Sequence, residues 1–130
     1  MSSVSTHYKF LERNPKSNYK QLFVKGTKIS ARTLYGRYMS EEEPMTPEEI
    51  AEDYGLPIEA VREAIAYCDT DPVAIREDFA REEAIMEATG MNDPDYKYHL
   101  KYRMITPQER ARIHREVEER FAEERAARGE

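Results

Sequence analysis

Thr46-Pro47-Glu48-Glu49-Ile50-Ala51-Glu52-Asp53-Tyr54-Gly55-Leu56-Pro57-Ile58-Glu59-Ala60-Val61-Arg62-Glu63-Ala64-Ile65 is the stretch on which the fold turns. Thr46 is a helix cap, Pro47 occupies the first helical position, and Glu49 completes a Thr-x-x-Glu capping box. Glu48 and Glu49 lie where the helix dipole favours anions. Ile50, Ala51 and Tyr54 form an inward stripe, and Gly55 closes the helix in the left-handed conformation. Pro57 opens a second helix, in which Ile58, Val61, Ala64 and Ile65 recur at helical spacing up to Tyr67-Cys68. Ala51 allows a close approach of the two helices, Gly55 supplies the sharp turn, and Val61 fills the angle between them. The pattern predicts a helix-turn-helix-type, tri-helical unit, with a helix from Ser30 to Ser40 (apolar face Leu34, Tyr35, Tyr38) packing across it.

Working outward, His7 to Ile29 favours strands. The runs Tyr8-Lys9-Phe10-Leu11 and Leu22-Phe23-Val24 flank the turn-rich Asn14-Pro15-Lys16-Ser17-Asn18, and Lys25-Gly26-Thr27-Lys28 reads as a tight turn. Past the central unit, Asp69-Thr70-Asp71-Pro72 caps a fourth helix with Ile75, Phe79 and Met86 on one side and Gly90 at its end. Tyr96, Tyr98, Leu100, Tyr102 and Met104 alternate with Lys97, His99, Lys101 and Arg103, a period of two that implies an extended arm with one cationic face. Such an arm suits a partner subunit, with single-strand nucleic acid as the weaker alternative. Thr106-Pro107-Gln108-Glu109 starts a last helix carrying only the narrow stripe Ile113, Val117, Phe121. The expected fold is therefore mainly α. Four segments follow: a basic arm and hairpin (1–29), the helix-turn-helix-like domain (30–68), the fourth helix and extended segment (69–105), and a C-terminal amphipathic helix (106–130).

Composition narrows the function. Leu, Ile, Val and Phe make up about 17% of the 130 residues, under the roughly 20% expected of a compact domain, so a small core with partner-dependent arms is expected. The formal charge of −6 hides a strong asymmetry: residues 1–40 carry net +7, residues 41–95 net −15, and residues 96–130 net +2. Such segregation suits association between unlike ends of two copies, or a basic arm on an anionic partner. An acidic solvated face beside a lysine-rich strand region would give the same pattern. No run approaches the roughly 18 apolar residues of a membrane span, and no apolar secretory stretch opens the chain, so a cytoplasmic protein is expected.

Catalysis and cofactors find no support. His7, His99 and His114 lack metal-ligand spacing, and no glycine-rich phosphate loop exists. Cys68 is the single cysteine, which excludes an internal disulfide, and it reads as a buried helix-end residue. As a DNA reader the central unit is poor, because Glu59 and Glu63 flank Arg62 on the second helix and Glu48, Glu49, Glu52 and Asp53 face outward on the first. If the chain binds DNA, the better surface is the ribbon of Lys16, Lys20, Lys25 and Lys28 with Arg32 and Arg37. The C-terminal helix, with Arg110 beside Ile113, Val117 and Phe121, is the candidate for laying into a partner's groove.

Phe23-Val24-Lys25-Gly26-Thr27-Lys28-Ile29, Met45 to Tyr54 and Ala60 to Tyr67 together resemble the bacterial domain-of-unknown-function family 433. The resemblance covers roughly Tyr19 to Cys68. It implies a homeodomain-like tri-helical fold, a dimer, and an antitoxin role opposite a PIN-like nuclease toxin. The leading expectation is thus a non-enzymatic interaction protein, with a transcriptional regulator using the basic ribbon as the alternative.

Overall fold

A computed structural model describes residues 8–91 and 104–129. Among them are a two-stranded antiparallel sheet and five helices: β1 (Leu11–Arg13), β2 (Leu22–Val24), α1 (Ala31–Tyr38), α2 (Pro47–Tyr54), α3 (Ile58–Asp69), α4 (Val73–Thr89) and α5 (Pro107–Arg128). The chain divides into two compact units, Met1–Ile75 and Arg76–Glu130. The boundary falls inside α4, within the segment 69–105 set out above. The expected Tyr/Lys arm from Tyr96 to Arg103 lies outside the described residues.

The first unit is a mainly helical wedge fronted by the hairpin. Thr46 accepts from the Glu49 N–H at 3.1 Å while the Glu49 side chain accepts from the Thr46 N–H at 2.9 Å, so the capping box is complete. At the other end of α2, Gly55 sits at φ 66°, ψ 38°, and the Leu56 N–H returns to the Ala51 carbonyl at 2.9 Å. That closure turns Leu56 onto the core. Leu34, Ile50 and Val61 are fully buried where α1, α2 and α3 meet, and Ala31, Ala60 and Ala64 let the backbones approach. Ala51 is half-buried against the same core.

Pairing in the hairpin runs Leu11↔Val24, Glu12↔Phe23 and Arg13↔Leu22. The first strand therefore starts at the end of the Tyr8–Leu11 run rather than filling it. The cause is competition for the backbone: the Phe10 N–H donates to Glu63 Oε1 of α3 at 2.8 Å. Tyr8 packs edge-on against Tyr67 with ring centroids 5.4 Å apart, and both stay with the core.

In α4 the sequence places apolar side chains on one side without saying which way that side faces. Phe79 and Met86 share a side, as their spacing requires, but that side faces solvent: Phe79 is 54% exposed and Met86 39%. The opposite side, carrying Glu77, Asp78 and Arg81, is buried. Burying charge is tolerable when each charge is paired. Arg81 meets Asp78 at 2.7 Å, Glu77 meets Arg125 of α5, and Arg76 forms a two-pronged pair with Glu124 of α5. Helix α5 begins with its own Thr106–Glu109 capping box and ends on Gly129 in the left-handed region. Among the described residues no helix is long and apolar enough to cross a membrane.

Candidate nucleic-acid interface

The loop between β1 and β2 is a built turn. The Ser17 N–H donates to the Asn14 carbonyl at 3.1 Å, the Lys16 N–H to Asn14 Oδ1 at 3.0 Å, and the Tyr19 N–H to Ser17 Oγ at 3.1 Å. These local bonds replace the strand ladder, the usual use of Asn and Ser in turns. After β2 the chain reverses at Gly26 (φ 74°), where Thr27 Oγ1 donates to the Val24 carbonyl at 2.8 Å and accepts the Ile29 N–H at 3.0 Å. The reversal brings Ser30 into a bridge with Phe23 and delivers Lys28 alongside β2. Ser30 then caps α1 through the Thr33 N–H at 3.3 Å. Gln21, 1% exposed, accepts the Arg32 N–H at 3.2 Å through Oε1.

Between the loop, the hairpin and the start of α1 lies a concavity of about 590 Å³. Lys16, Lys28 and Arg32 line it together with Tyr19, Phe23 and Gln21. The Arg32 guanidinium stands 5.6 Å from the centre of the Tyr19 ring, a cation–π distance. Three of the six cations assigned to DNA from sequence thus share one hollow. Lys20 and Lys25 belong to the same hairpin outside its lining, and Arg37 is elsewhere, its Nε donating to the Tyr54 hydroxyl at 3.1 Å. Tyr19 and Gln21 were missed as site residues. An aromatic between two cations in Lys16-Ser17-Asn18-Tyr19-Lys20 was a usable signal for the first; nothing in sequence marks a buried glutamine.

The outward face of the central unit is acidic, as its sequence requires. Its single arginine on α3, Arg62, is spent on Glu48 of α2 at 3.2 Å, and Glu63 holds the Phe10 N–H. In the second unit, α5 buries Ile113 and Val117, so these two are not offered to a partner, whereas Phe121 is half-buried and Arg110 exposed. Phe121 and Arg120 join Phe79 and Met86 around a concavity of about 510 Å³. The Arg76 pair holds the Glu124 carboxyl below its ordinary range.

Among the described residues no group of three or more His, Cys, Asp or Glu side chains is placed to hold a metal ion. Burial and the neighbouring Asp69 push the Cys68 thiol up to about 12, far from the range of a nucleophile.

A hairpin fronting a mainly helical wedge, with its basic hollow on the hairpin side, is the architecture to be placed. Residues 12–68 match the model of the family described as protein of unknown function (DUF433). The chain has no match among curated proteins or among solved structures.

Proposed function

We propose that the chain is a non-enzymatic, cytoplasmic interaction protein of antitoxin type, acting as a dimer and docking a partner protein through its C-terminal unit. The observation that carries this reading is the solvent-facing side of α4, where Phe79 and Met86 stand exposed beside Phe121 and Arg120. Large apolar side chains grouped on a surface and rimmed by charge are the usual mark of a docking site. Arg110, Arg112 and Arg115 extend along the exposed face of α5, suited to the clustered carboxylates of a PIN-like nuclease. Co-expression with the product of the adjacent gene, followed by gel filtration with light scattering, tests the reading. A stable complex that Phe79→Asp with Met86→Asp disrupts is expected; a chain that elutes alone in both forms refutes it.

A second reading, regulation through DNA, is favoured by the convergence of Lys16, Lys28 and Arg32 on one hollow. It requires anion binding that weakens steeply with salt. A gel shift on the chain's own promoter that survives Lys16→Glu with Lys28→Glu would remove the hollow from that account.

A further inference from the structure

We infer that the basic hollow of the first unit accepts an unstacked nucleotide of a single strand, its base against Tyr19 and its phosphates near Lys16, Lys28 and Arg32. The inference rests on the second reading for the sign of the partner's charge and departs from it on the partner's form. Duplex readers are convex: a helix or ribbon enters a major groove about 12 Å wide and meets base edges there. Here the cations surround a depression, with the largely buried Phe23 and Gln21 among its walls. A depression cannot enter a groove, and a duplex keeps its bases stacked out of reach. A single strand offers what the duplex withholds, a base free to swing out and lie on an aromatic ring or a guanidinium plane.

Three features agree. The volume, about 590 Å³, lies within the roughly 300–1,000 Å³ typical of sites for small organic groups. Its walls mix two aromatic rings with two carboxamides and hydroxyls, whereas a plain phosphate site has no use for Tyr19 or Phe23. Among the described residues that line it none is a carboxylate, although acids outnumber bases in the chain, 26 to 20, and Glu12 stands only in the adjoining concavity. The parts are also held in place. Ser17 fixes the Tyr19 backbone, and Gln21 is tied to the first turn of α1 by the Arg32 N–H. A preformed hollow loses less on binding than a loop that must first be ordered.

The test uses the full chain and three fluorescein-labelled probes of roughly twelve units each: oligo(dT), oligo(U) and a blunt mixed-sequence DNA duplex. Fluorescence anisotropy is read at about 50 and about 200 mM salt. At least one single strand is expected to bind about tenfold or more tightly than the duplex, and comparison of the two strands tells DNA from RNA. Tyr19→Leu should weaken that binding by about 5- to 100-fold while Tyr19→Phe, which keeps the ring, retains it. Lys16→Glu with Lys28→Glu should abolish it, and Lys25→Glu, outside the lining, should change it by no more than about twofold to threefold. Circular dichroism verifies that each variant is folded. Duplex binding equal to or tighter than single-strand binding overturns the inference and leaves the second reading standing. Equal loss from Tyr19→Leu and Tyr19→Phe, or none from the former, also overturns it. Binding to none of the three probes overturns the inference, and the promoter gel shift then decides the second reading separately.

Discussion

The backbone N–H of Phe10 donates to the carboxylate of Glu63 at 2.8 Å, across 53 positions of sequence. This bond fastens the N-terminal hairpin to α3, and with it the orientation of the basic hollow relative to the wedge. Glu63→Ala leaves a partly buried donor unsatisfied and should cost about 1–2 kcal/mol. Glu63→Gln keeps an acceptor oxygen and should lose less than half of that. Urea denaturation followed at 222 nm checks both; equal losses would mean that the bond contributes nothing of its own.

Gly55 ends α2 at φ 66° with open space where a Cβ would stand, so a side chain there meets conformational strain and no clash. Gly55→Ala should therefore destabilise by about 1–2 kcal/mol, the cost of placing an L-residue in the left-handed region. Gly55→Asn, which tolerates that region better, should recover part of the loss. Thermal unfolding of the three proteins orders them as Gly, Asn, Ala; an alanine variant as stable as the parent would contradict the assigned turn.

Cys68 is buried, and its thiol is pushed from 9.0 to about 12. At mildly alkaline pH this cuts the thiolate fraction by roughly a thousandfold, and only the thiolate attacks. A disulfide reagent such as DTNB at pH 8 should label the native chain about a thousand times more slowly than the chain in concentrated guanidinium. Prompt stoichiometric labelling of the folded protein would show that the end of α3 opens readily.

The central wedge was legible because its signals are local. Thr46, Pro47 and Glu49 specify a helix start by themselves, Gly55 specifies its end, and Ile50 and Val61 follow the helical period; the structure uses each as expected. The hairpin was legible as to kind, but its first strand begins late because Glu63, far off in sequence, claims the Phe10 N–H. Helix α4 was legible only in part for a related reason. Periodicity placed Phe79 with Met86 correctly but carries no sign, and the partner that lets Glu77 lie inward, Arg125, is about fifty residues away. The basic hollow was half legible. Its cations were evident, whereas its walls depend on Gln21 being tied to the backbone of Arg32, a tertiary contact that no spacing announces.

Glu124 offers a pH test of the second unit. Its hydrogen bond to Arg76 holds its carboxyl below the ordinary glutamate range. A depressed folded-state value means that the stabilisation is present at pH 7 and down through the unfolded value near 4.3, and is lost as pH falls through the folded one. Glu124→Gln should therefore be less stable than the parent at pH 7, with the difference shrinking toward zero only in the acid range below about pH 4. High salt should reduce the difference at neutral pH as well, since both side chains are partly exposed. Chemical denaturation of both proteins at closely spaced pH values checks this; a difference independent of pH would remove the ion pair from the account.

Leu34 and Phe79 make the sharpest contrast between buried and exposed apolar side chains. Leu34 is fully buried among α1, α2 and α3, and removing its branched end leaves a cavity that the small residues around it cannot close. Leu34→Ala should cost about 3–5 kcal/mol, a large share of the stability of a domain this size. Phe79, although larger, is 54% exposed, and Phe79→Ala should cost about 1 kcal/mol or less. The order is the reverse of what side-chain size alone dictates, so it tests the orientation of α4 directly. If Phe79→Ala proves as damaging as Leu34→Ala under urea titration, the apolar side of α4 is packed inward and loses its role as a docking surface.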